Sequence, residues 1–208
     1  MDRGTGAEGG TQTRIEGMQV HQFSVIYVQE QDRILMRINT TTGEQLRVWL
    51  TRRLMLPLWP RLNQSVAEHV VQQKGVQGQV QSPLAHSDDL TKQMMADFER
   101  EGSIKTSDFK TPFNADSRLL PFGNDPLVVT KISLTPLENG SLRLEFEERL
   151  PQQTGVRAFK VALTAQTMHA VIHLLEKALN RSGWVGDGNG ESAVPTTLAN
   201  AEKPRYLN

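Results

Sequence analysis

The 208 residues suffice for one domain of fair size or two very small ones, and the hydrophobic content of 38% suits a folded core. The 23 basic and 23 acidic residues balance, which argues against a general polyanion binder but leaves room for a local basic patch. The chain has no cysteine, which excludes disulfides, thiolate metal sites and a thiol nucleophile. It shows neither a signal peptide nor an apolar run near the ~20 residues of a membrane span, so we expect a cytoplasmic protein without membrane association.

Three strands are predicted at the start of the ordered chain. Residues 1–17 are rich in Gly and Thr and are predicted as a disordered tail, with order beginning near Met18. Apolar residues then alternate with a period of two, which predicts half-buried strands at Gln22–Val28, Arg33–Asn39 and Gln45–Leu50.

The apolar faces fix the register of the second and third strands. Opposed residues share a face of the sheet, so Ile38 should oppose Leu46 rather than Gln45. This register leaves the loop Thr41-Thr42-Gly43, in which Gly43 takes the left-handed conformation that costs glycine least.

A helix is predicted directly after the third strand. Thr51 serves as its N-cap, because a threonine hydroxyl can accept a free backbone N–H, and the helix runs to about Gln73. Pro57 and Pro60 remove backbone donors and can kink it. The alternative is a bent entry, with the regular helix beginning at Pro60.

Residues 75–125 are predicted as an insertion between two halves of the chain. A linker at 74–86 leads to a short helix from Ser87 to about Glu101, with a narrow apolar stripe formed by Leu90, Met94 and Phe98. Residues 102–126 have no periodicity and are either functional or loosely ordered, with a short extra strand at Ser117–Phe122.

The second half repeats the pattern of the first. Strands are predicted at Val128–Leu134 and Leu142–Glu147, with Leu134 opposite Leu144 and the loop Glu138-Asn139-Gly140 between them. A two-residue Asn-Gly turn is the competing solution, but it would place Leu134 opposite Glu145.

The last helix has the clearest pattern in the chain. It is predicted from Ala165 to about Ser182, capped by Thr164, ended by Gly183, and followed by Trp184 as an apolar contact on its last turn. Its apolar face comprises Met168, Val171, Ile172, Leu175 and Leu179. Residues 186–208 are predicted as a disordered polar tail.

Two stretches of the chain indicate an internal duplication. Leu46–Leu62 and Phe159–Leu175 each contain a strand, a threonine and a helix, and their apolar positions align. We therefore predict an α+β fold: a duplicated β-β-β-α unit with antiparallel meanders and helices on the apolar sheet face. Residues 18–185 should form one domain with a joint core, with halves at 18–74 and 126–185.

A metal site is not favoured. His169 and His173 lie at positions i and i+4, a spacing that can hold zinc, but Ala170 stands where the metalloprotease pattern has glutamate, and no third ligand is indicated. We expect both histidines to be partly exposed. No cofactor motif is present, and an uncharacterised enzyme using these histidines or an acid within 102–126 is the least favoured of three hypotheses.

The basic residues of the first half are the candidate binding site: Arg37, Arg47, Trp49, Arg52 and Arg53. In the predicted register Arg37 opposes Arg47, and like charges in opposed positions destabilise a sheet. Arg52 and Arg53 lie in the first helical turn, where the helix dipole disfavours cations. Two unfavourable placements of charge in one region are more often found at functional surfaces. A solvated face with salt bridges to nearby acids is nevertheless the simpler interpretation.

The acidic residues of the second half suggest what these arginines bind. Glu145, Glu147 and Glu148 are expected to make its outer face acidic at matching positions. The leading hypothesis is therefore a non-catalytic interaction or assembly module that binds a protein partner or itself as a homo-oligomer. The alternative is binding of nucleic acid or another phosphate-bearing ligand through the arginines and Trp49.

Overall fold

The computed structural model describes residues 13–76, 89–115, 119–151 and 155–185. Within these ranges the elements are β1 (Thr13–Val28), β2 (Arg33–Thr40), β3 (Gln45–Thr51), α1 (Arg52–Val76), α2 (Asp89–Thr106), β4 (Leu127–Val128), β5 (Lys131–Pro136), β6 (Leu142–Glu148), β7 (Arg157–Leu163) and α3 (Ala165–Ser182). The predicted α+β class is confirmed. None of the helices in these ranges is long and apolar enough to cross a membrane.

One seven-stranded sheet has the order β4-β3-β2-β1-β7-β6-β5. Two of its neighbouring pairs, β1 with β7 and β3 with β4, are parallel, whereas the prediction had only antiparallel meanders. The first parallel pair exists because β1 begins at Thr13, upstream of Met18. Its early residues pair with β7 and its later residues pair with β2. The predicted disordered tail 1–17 is wrong for residues 13–17, because they belong to β1. Residues 1–12 of that tail, the predicted tail 186–208 and most of the predicted linker lie outside the described ranges.

Both predicted hairpin registers are confirmed. Ile38 faces Leu46 across β2 and β3, and Leu134 faces Leu144 across β5 and β6. Each loop places its glycine at positive φ, with 97° at Gly43. The second glycine, Gly140, has a φ of 75°. Alternation of apolar residues therefore sufficed to set the local pairing in both halves.

The predicted strand Val128–Leu134 is wrong, because the chain changes neighbours in the middle of it. Val129 N–H donates to the carbonyl of Trp49 in β3 at 3.1 Å, whereas the next residue, Thr130, donates to the carbonyl of Glu147 in β6 at 2.9 Å. Consecutive residues thus bond to strands from opposite halves of the sheet. The sheet must curl until its two edges, β4 and β5, lie side by side.

Glu148 lies at this junction, and its predicted exposure on an acidic outer face is wrong. It has the same strand parity as the buried Phe146 and is only 1% exposed. Its carboxylate accepts the N–H of Val128 at 2.7 Å and forms an ion pair with Arg157, its neighbour on β7. A buried charge therefore joins the end of β4 to β6 and β7.

The predicted N-cap of α1 is confirmed, since Leu54 N–H donates to the Thr51 hydroxyl at 3.3 Å. The helix continues through Pro57 and Pro60, both of which have exposed side chains. The alternative, in which the regular helix begins only at Pro60, is therefore wrong.

Helix α3 begins and ends as predicted. Thr167 N–H donates to the Thr164 hydroxyl at 3.2 Å, and Gly183 ends the helix with a φ of 65°. Trp184 is buried, and its indole N–H donates to the Asp32 carboxylate at 2.6 Å. The ring centres of Trp184 and Tyr27 are 5.7 Å apart in a T-shaped arrangement, so the end of α3 is tied to the β1–β2 turn.

Both halves contribute to one buried apolar cluster, which contains Met55 of α1 and Leu175 of α3. Leu50 and Leu163 occupy equivalent places in it, each near the end of a strand that leads into a helix. The long β1 and the β4–β5 connection have no counterpart in the opposite half. Descent of the two halves from one duplicated unit stays a prediction.

Helix α2 is longer than predicted, and its apolar stripe does not enter the core. Leu90, Met94 and Phe98 are 64%, 66% and 73% exposed. The helix is nevertheless fixed at other positions, for example by an ion pair of 3.5 Å between Arg100 and Glu176 of α3. The stripe is therefore an outward-facing surface.

Glu148→Gln should lower the free energy of unfolding by about 1.5–3 kcal/mol, because charged hydrogen bonds contribute about that much and Arg157 would lose its partner. The adjacent Glu147→Gln is the control. Its side chain faces outward and pairs with the exposed Arg149, a contact that contributes less than about 1 kcal/mol. Urea denaturation of both variants measures the difference. Equal midpoints would contradict the assigned role of Glu148.

Candidate functional site

Arg37, Arg47 and Trp49 lie together on the outer face of the sheet, the face opposite the buried cluster. Arg37 faces Arg47 and Leu35 faces Trp49 across β2 and β3, as predicted. All four side chains are half-buried. The inward-pointing residues between them belong to the core, so the arginines are presented on a rigid strand pair.

The pairing continues onto β1 and β4 and arranges this outer face in two rows. We call Ser24, Arg37 and Arg47 the arginine row, since each is the Cα partner of the next. We call Ile26, Leu35, Trp49 and Val128 the apolar row on the same basis. Members of the two rows are two residues apart along each strand, so the rows are roughly 7 Å apart.

Arg37 is held by neutral groups. Its Nη2 donates to the Ser24 hydroxyl at 3.0 Å, and its guanidinium carbon lies 4.6 Å from the centre of the Phe113 ring. Its Nε is buried and has no hydrogen-bond partner among the described residues. Burial, reinforced by the charge of Arg47, lowers the pKa of Arg37 from its ordinary value.

Arg47 marks one boundary of the surface. Its Nε donates to Gln45 Oε1 at 2.8 Å and its Nη1 to the carbonyl of Asn124 at 3.3 Å. Gln45 in turn donates to Asn39 at 3.0 Å, and Asn39 donates to the carbonyl of Asn114 at 2.8 Å. Both of these amides are buried. This end of the outer face is therefore closed by the connection that follows α2.

Within the described ranges, neither arginine of the arginine row forms an ion pair with an acidic side chain. Two of the nearby acids are engaged elsewhere. Glu44 bonds to the hydroxyls of Thr40 and Thr42, and Asp32 accepts from Tyr27 and Trp184. The salt bridges of the simpler interpretation are thus absent from this part of the structure, and no acid of the described residues compensates the two opposed like charges.

Arg52 and Arg53 are exposed in the first turn of α1, beyond the end of β3. Neither forms an ion pair with a described residue. Hydrogen bonds from Trp184 and Tyr27 are the main causes of the lowered pKa of Asp32 in the β1–β2 turn, and the charge of Arg52 adds to this lowering. These two arginines flank the outer face but are not members of its rows.

The acidic face of the second half is largely neutralised by its own neighbours. Glu145 pairs with Arg14 at 3.2 Å and has Lys160 as its Cα partner on β7. Glu147 pairs with Arg149, and Glu148 is buried against Arg157, as described above. The charge complementarity expected between the two halves is therefore weak.

The expectation of two partly exposed histidines is wrong for His169. It is 2% exposed, on the side of α3 that faces the other helices, and its Nδ1 has no partner among the described residues. His173 is half-buried, with its ring 5.5 Å from that of Phe109. Within the same ranges, no three histidine, aspartate or glutamate residues are placed to hold a metal ion.

Some members of the site were not predicted from the sequence. Ile26 could have been found, because Val25–Val28 at the end of β1 is apolar at both parities, which indicates that its outer face is apolar as well. Phe113 and Val128 join the face through long-range contacts, and no local pattern indicates them.

No protein-family model, curated protein or solved structure matches the chain significantly.

The burial of His169 predicts acid sensitivity. Burial lowers its pKa from the ordinary 6.5; Glu99 opposes this effect, and Arg100 and His69 reinforce it. The unfolded chain therefore binds a proton more readily than the folded chain. The free energy of unfolding is fully maintained above pH 6.5 and falls as the pH drops from there through the folded pKa.

Denaturant melts at about pH 7.5 and about pH 5.5 measure this loss. His169→Gln should reduce the difference between the two pH values, whatever its effect at the higher pH. His21→Gln, which replaces an exposed histidine on β1, should leave the difference unchanged. The same difference in all three proteins would contradict the assignment to His169.

Proposed function

We propose that this chain is a non-catalytic binding module, and that the outer face of β1 to β4 binds an anionic ligand. The observation that carries the proposal is the opposed pair Arg37 and Arg47, half-buried and without an acidic partner among the described residues. Like charges so placed repel each other, and an anion bound between them would remove the repulsion. We also propose, as expected from the sequence, that the protein binds this ligand in the cytoplasm.

The local contacts of the arginines leave their charge available to an anion. Ser24, Phe113, Gln45 and the Asn124 carbonyl position the guanidinium groups but carry no charge that neutralises them. A guanidinium group has five N–H donors, and the contacts at Arg37 and Arg47 use only some of them. Planar guanidinium groups suit phosphate and carboxylate oxygens, to which they can donate two parallel hydrogen bonds.

Asp108, an acid of the stretch 102–126 in which the enzyme hypothesis placed a catalytic group, supports structure. Asp108 accepts hydrogen bonds from the N–H groups of Lys110 and Thr111, at 2.9 and 3.0 Å, and from the Thr111 hydroxyl. The hydroxyl is the main cause of its lowered pKa. These bonds hold a turn, and an ionised carboxylate engaged in this way is a weak general acid or base.

Arg37→Gln combined with Arg47→Gln should weaken binding of a labelled inorganic polyphosphate by about tenfold or more, since each charged hydrogen bond contributes about 1.5–3 kcal/mol. Binding by the natural chain should fall steeply with salt, and the double variant should show a shallower slope. Fluorescence anisotropy at several salt concentrations measures both effects.

The control is Arg143→Gln combined with Arg181→Gln, which makes the same change in net charge on β6 and at the end of α3. It should bind polyphosphate as the natural chain does. If both double variants lose the same affinity, binding depends on net charge rather than on the outer face. Failure of the natural chain to bind would contradict the proposed function.

A second candidate function is self-association, and the exposed stripe of α2 favours it. Its three apolar side chains recur every four residues, so they form one exposed strip along the helix. A second copy of α2 could cover this strip, which would give a homodimer with the same patch on both subunits. The charge-based assembly expected from the sequence has less support, because the glutamates already have basic partners: Arg14 of β1 for Glu145, and Arg149 and Arg157 for the other two.

Phe98→Glu should dissociate such a dimer without unfolding the chain, because the side chain is already exposed. Light scattering after size exclusion would show a lower molar mass for this variant. Leu119→Glu, at an apolar residue 71% exposed outside α2, is the control and should keep the mass of the natural chain. A monomeric natural chain would contradict self-association.

A further inference from the structure

We infer that the anionic ligand is single-stranded nucleic acid, with its bases on the apolar row and its phosphates on the arginine row. This inference rests on the proposed function and specifies the class of ligand. Its basis is the combination of the two rows, since an anion site alone would require only the arginines.

The apolar row is continuous and lies across four strands. At roughly 4.8 Å between neighbouring strands, its outer members are roughly 14 Å apart. Ile26 is 40% exposed, and Leu35, Trp49 and Val128 are half-buried. Trp49 is fixed between Leu35 and Val128 by strand pairing on both sides. The row therefore offers a rigid indole with aliphatic side chains on both sides, on a surface that water reaches.

Single strands are bound by this combination of groups. Bases stack on aromatic side chains whatever their sequence, while a neighbouring line of cations follows the sugar-phosphate backbone. The two rows are roughly 7 Å apart and run in the same direction across the strands, as such a ligand requires. On the other side of the apolar row, Arg33 is the Cα partner of Thr51 and adds a further cation.

Other anions would use this surface less completely. Inorganic phosphate would engage the arginines and leave the apolar row in water. Duplex DNA would have to admit the sheet into a major groove of about 12 Å, and four strands with their side chains are wider than that. Extended peptides commonly add to a sheet edge through backbone hydrogen bonds. Here β4 and β5 lie together at the junction, and the charged surface is a face of the sheet.

The test uses the full chain and a labelled oligothymidylate of about 16 nucleotides, near the upper site size of single-strand binding modules. The affinities of the matched duplex and of polyglutamate are measured for comparison. We expect the oligothymidylate to bind at least about tenfold more tightly than either. We also expect it to quench part of the fluorescence of the three tryptophans, because Trp49 stacks on a base.

Variants of Trp49 separate stacking from simple apolar contact. Trp49→Leu keeps an apolar side chain on the strand, and it should lower affinity for the oligothymidylate by roughly 5- to 150-fold, which corresponds to one stacked base. Trp49→Phe should retain most of the affinity but lose the fluorescence quench. Thermal melts establish that both variants are folded.

The outcomes separate the inference from the proposed function. If polyglutamate or duplex binds as tightly as the oligothymidylate, or if Trp49→Leu binds like the natural chain, the inference is overturned. In that case binding of polyphosphate that still depends on Arg37 and Arg47 would leave the anion site standing. If neither polyphosphate nor the oligothymidylate binds, both proposals are overturned.

Discussion

The fold depends on the point where consecutive residues of the chain bond to opposite halves of the sheet. Val129 donates to β3 and Thr130 donates to β6, so the two edges of the sheet cannot separate. Glu148 supports this junction by accepting the N–H of Val128 while it pairs with Arg157. The curl that results gathers the apolar faces of both halves around α1 and α3 and directs the alternate side chains outward.

This constraint also explains why the glutamates of β6 do not neutralise the arginine row. Curling covers one face of the sheet, so residues of the opposite parity must be presented to solvent or to the connection after α2. Glu145 and Glu147 face outward on β6 and pair with Arg14 and Arg149, in their own part of the sheet. They do not neutralise the arginines of β2 and β3. The unbalanced charge of the first half is therefore a consequence of topology as well as composition.

Local patterns in the sequence predicted the features that depend on near neighbours. The register of Ile38 with Leu46 and the caps at Thr51 and Thr164 follow from strand parity and helix-end chemistry, which act over a few residues. The opposed arginines followed from that register. The position of Glu148 was also predictable in principle, because it shares the parity of Phe146.

Long-range contacts could not be predicted in this way. Arg37 lies over the ring of Phe113, and β1 pairs in parallel with β7, although nothing in the segments concerned indicates these partners. The division of the predicted strand Val128–Leu134 between β4 and β5 could not be predicted for the same reason. An alternating apolar pattern shows which face of the sheet a residue lies on, but it does not show which strand accepts the hydrogen bond from its N–H group. The sequence therefore predicted that Arg37 and Arg47 oppose each other, but it did not predict which distant residues border them.

The outer face keeps an arrangement that folding alone would not favour. An acidic residue in place of either opposed arginine would turn repulsion into attraction, and cross-strand pairs of opposite charge contribute roughly 0.2–1 kcal/mol. Instead, Arg37 is retained against Ser24 and Phe113, with one buried nitrogen that has no partner among the described residues. Trp49, which would be better buried in the core, lies half-exposed in the adjacent row. Both features cost stability in the free chain, and the proposed ligand, an anion with apolar, stackable groups, would offset this cost by binding to the two rows.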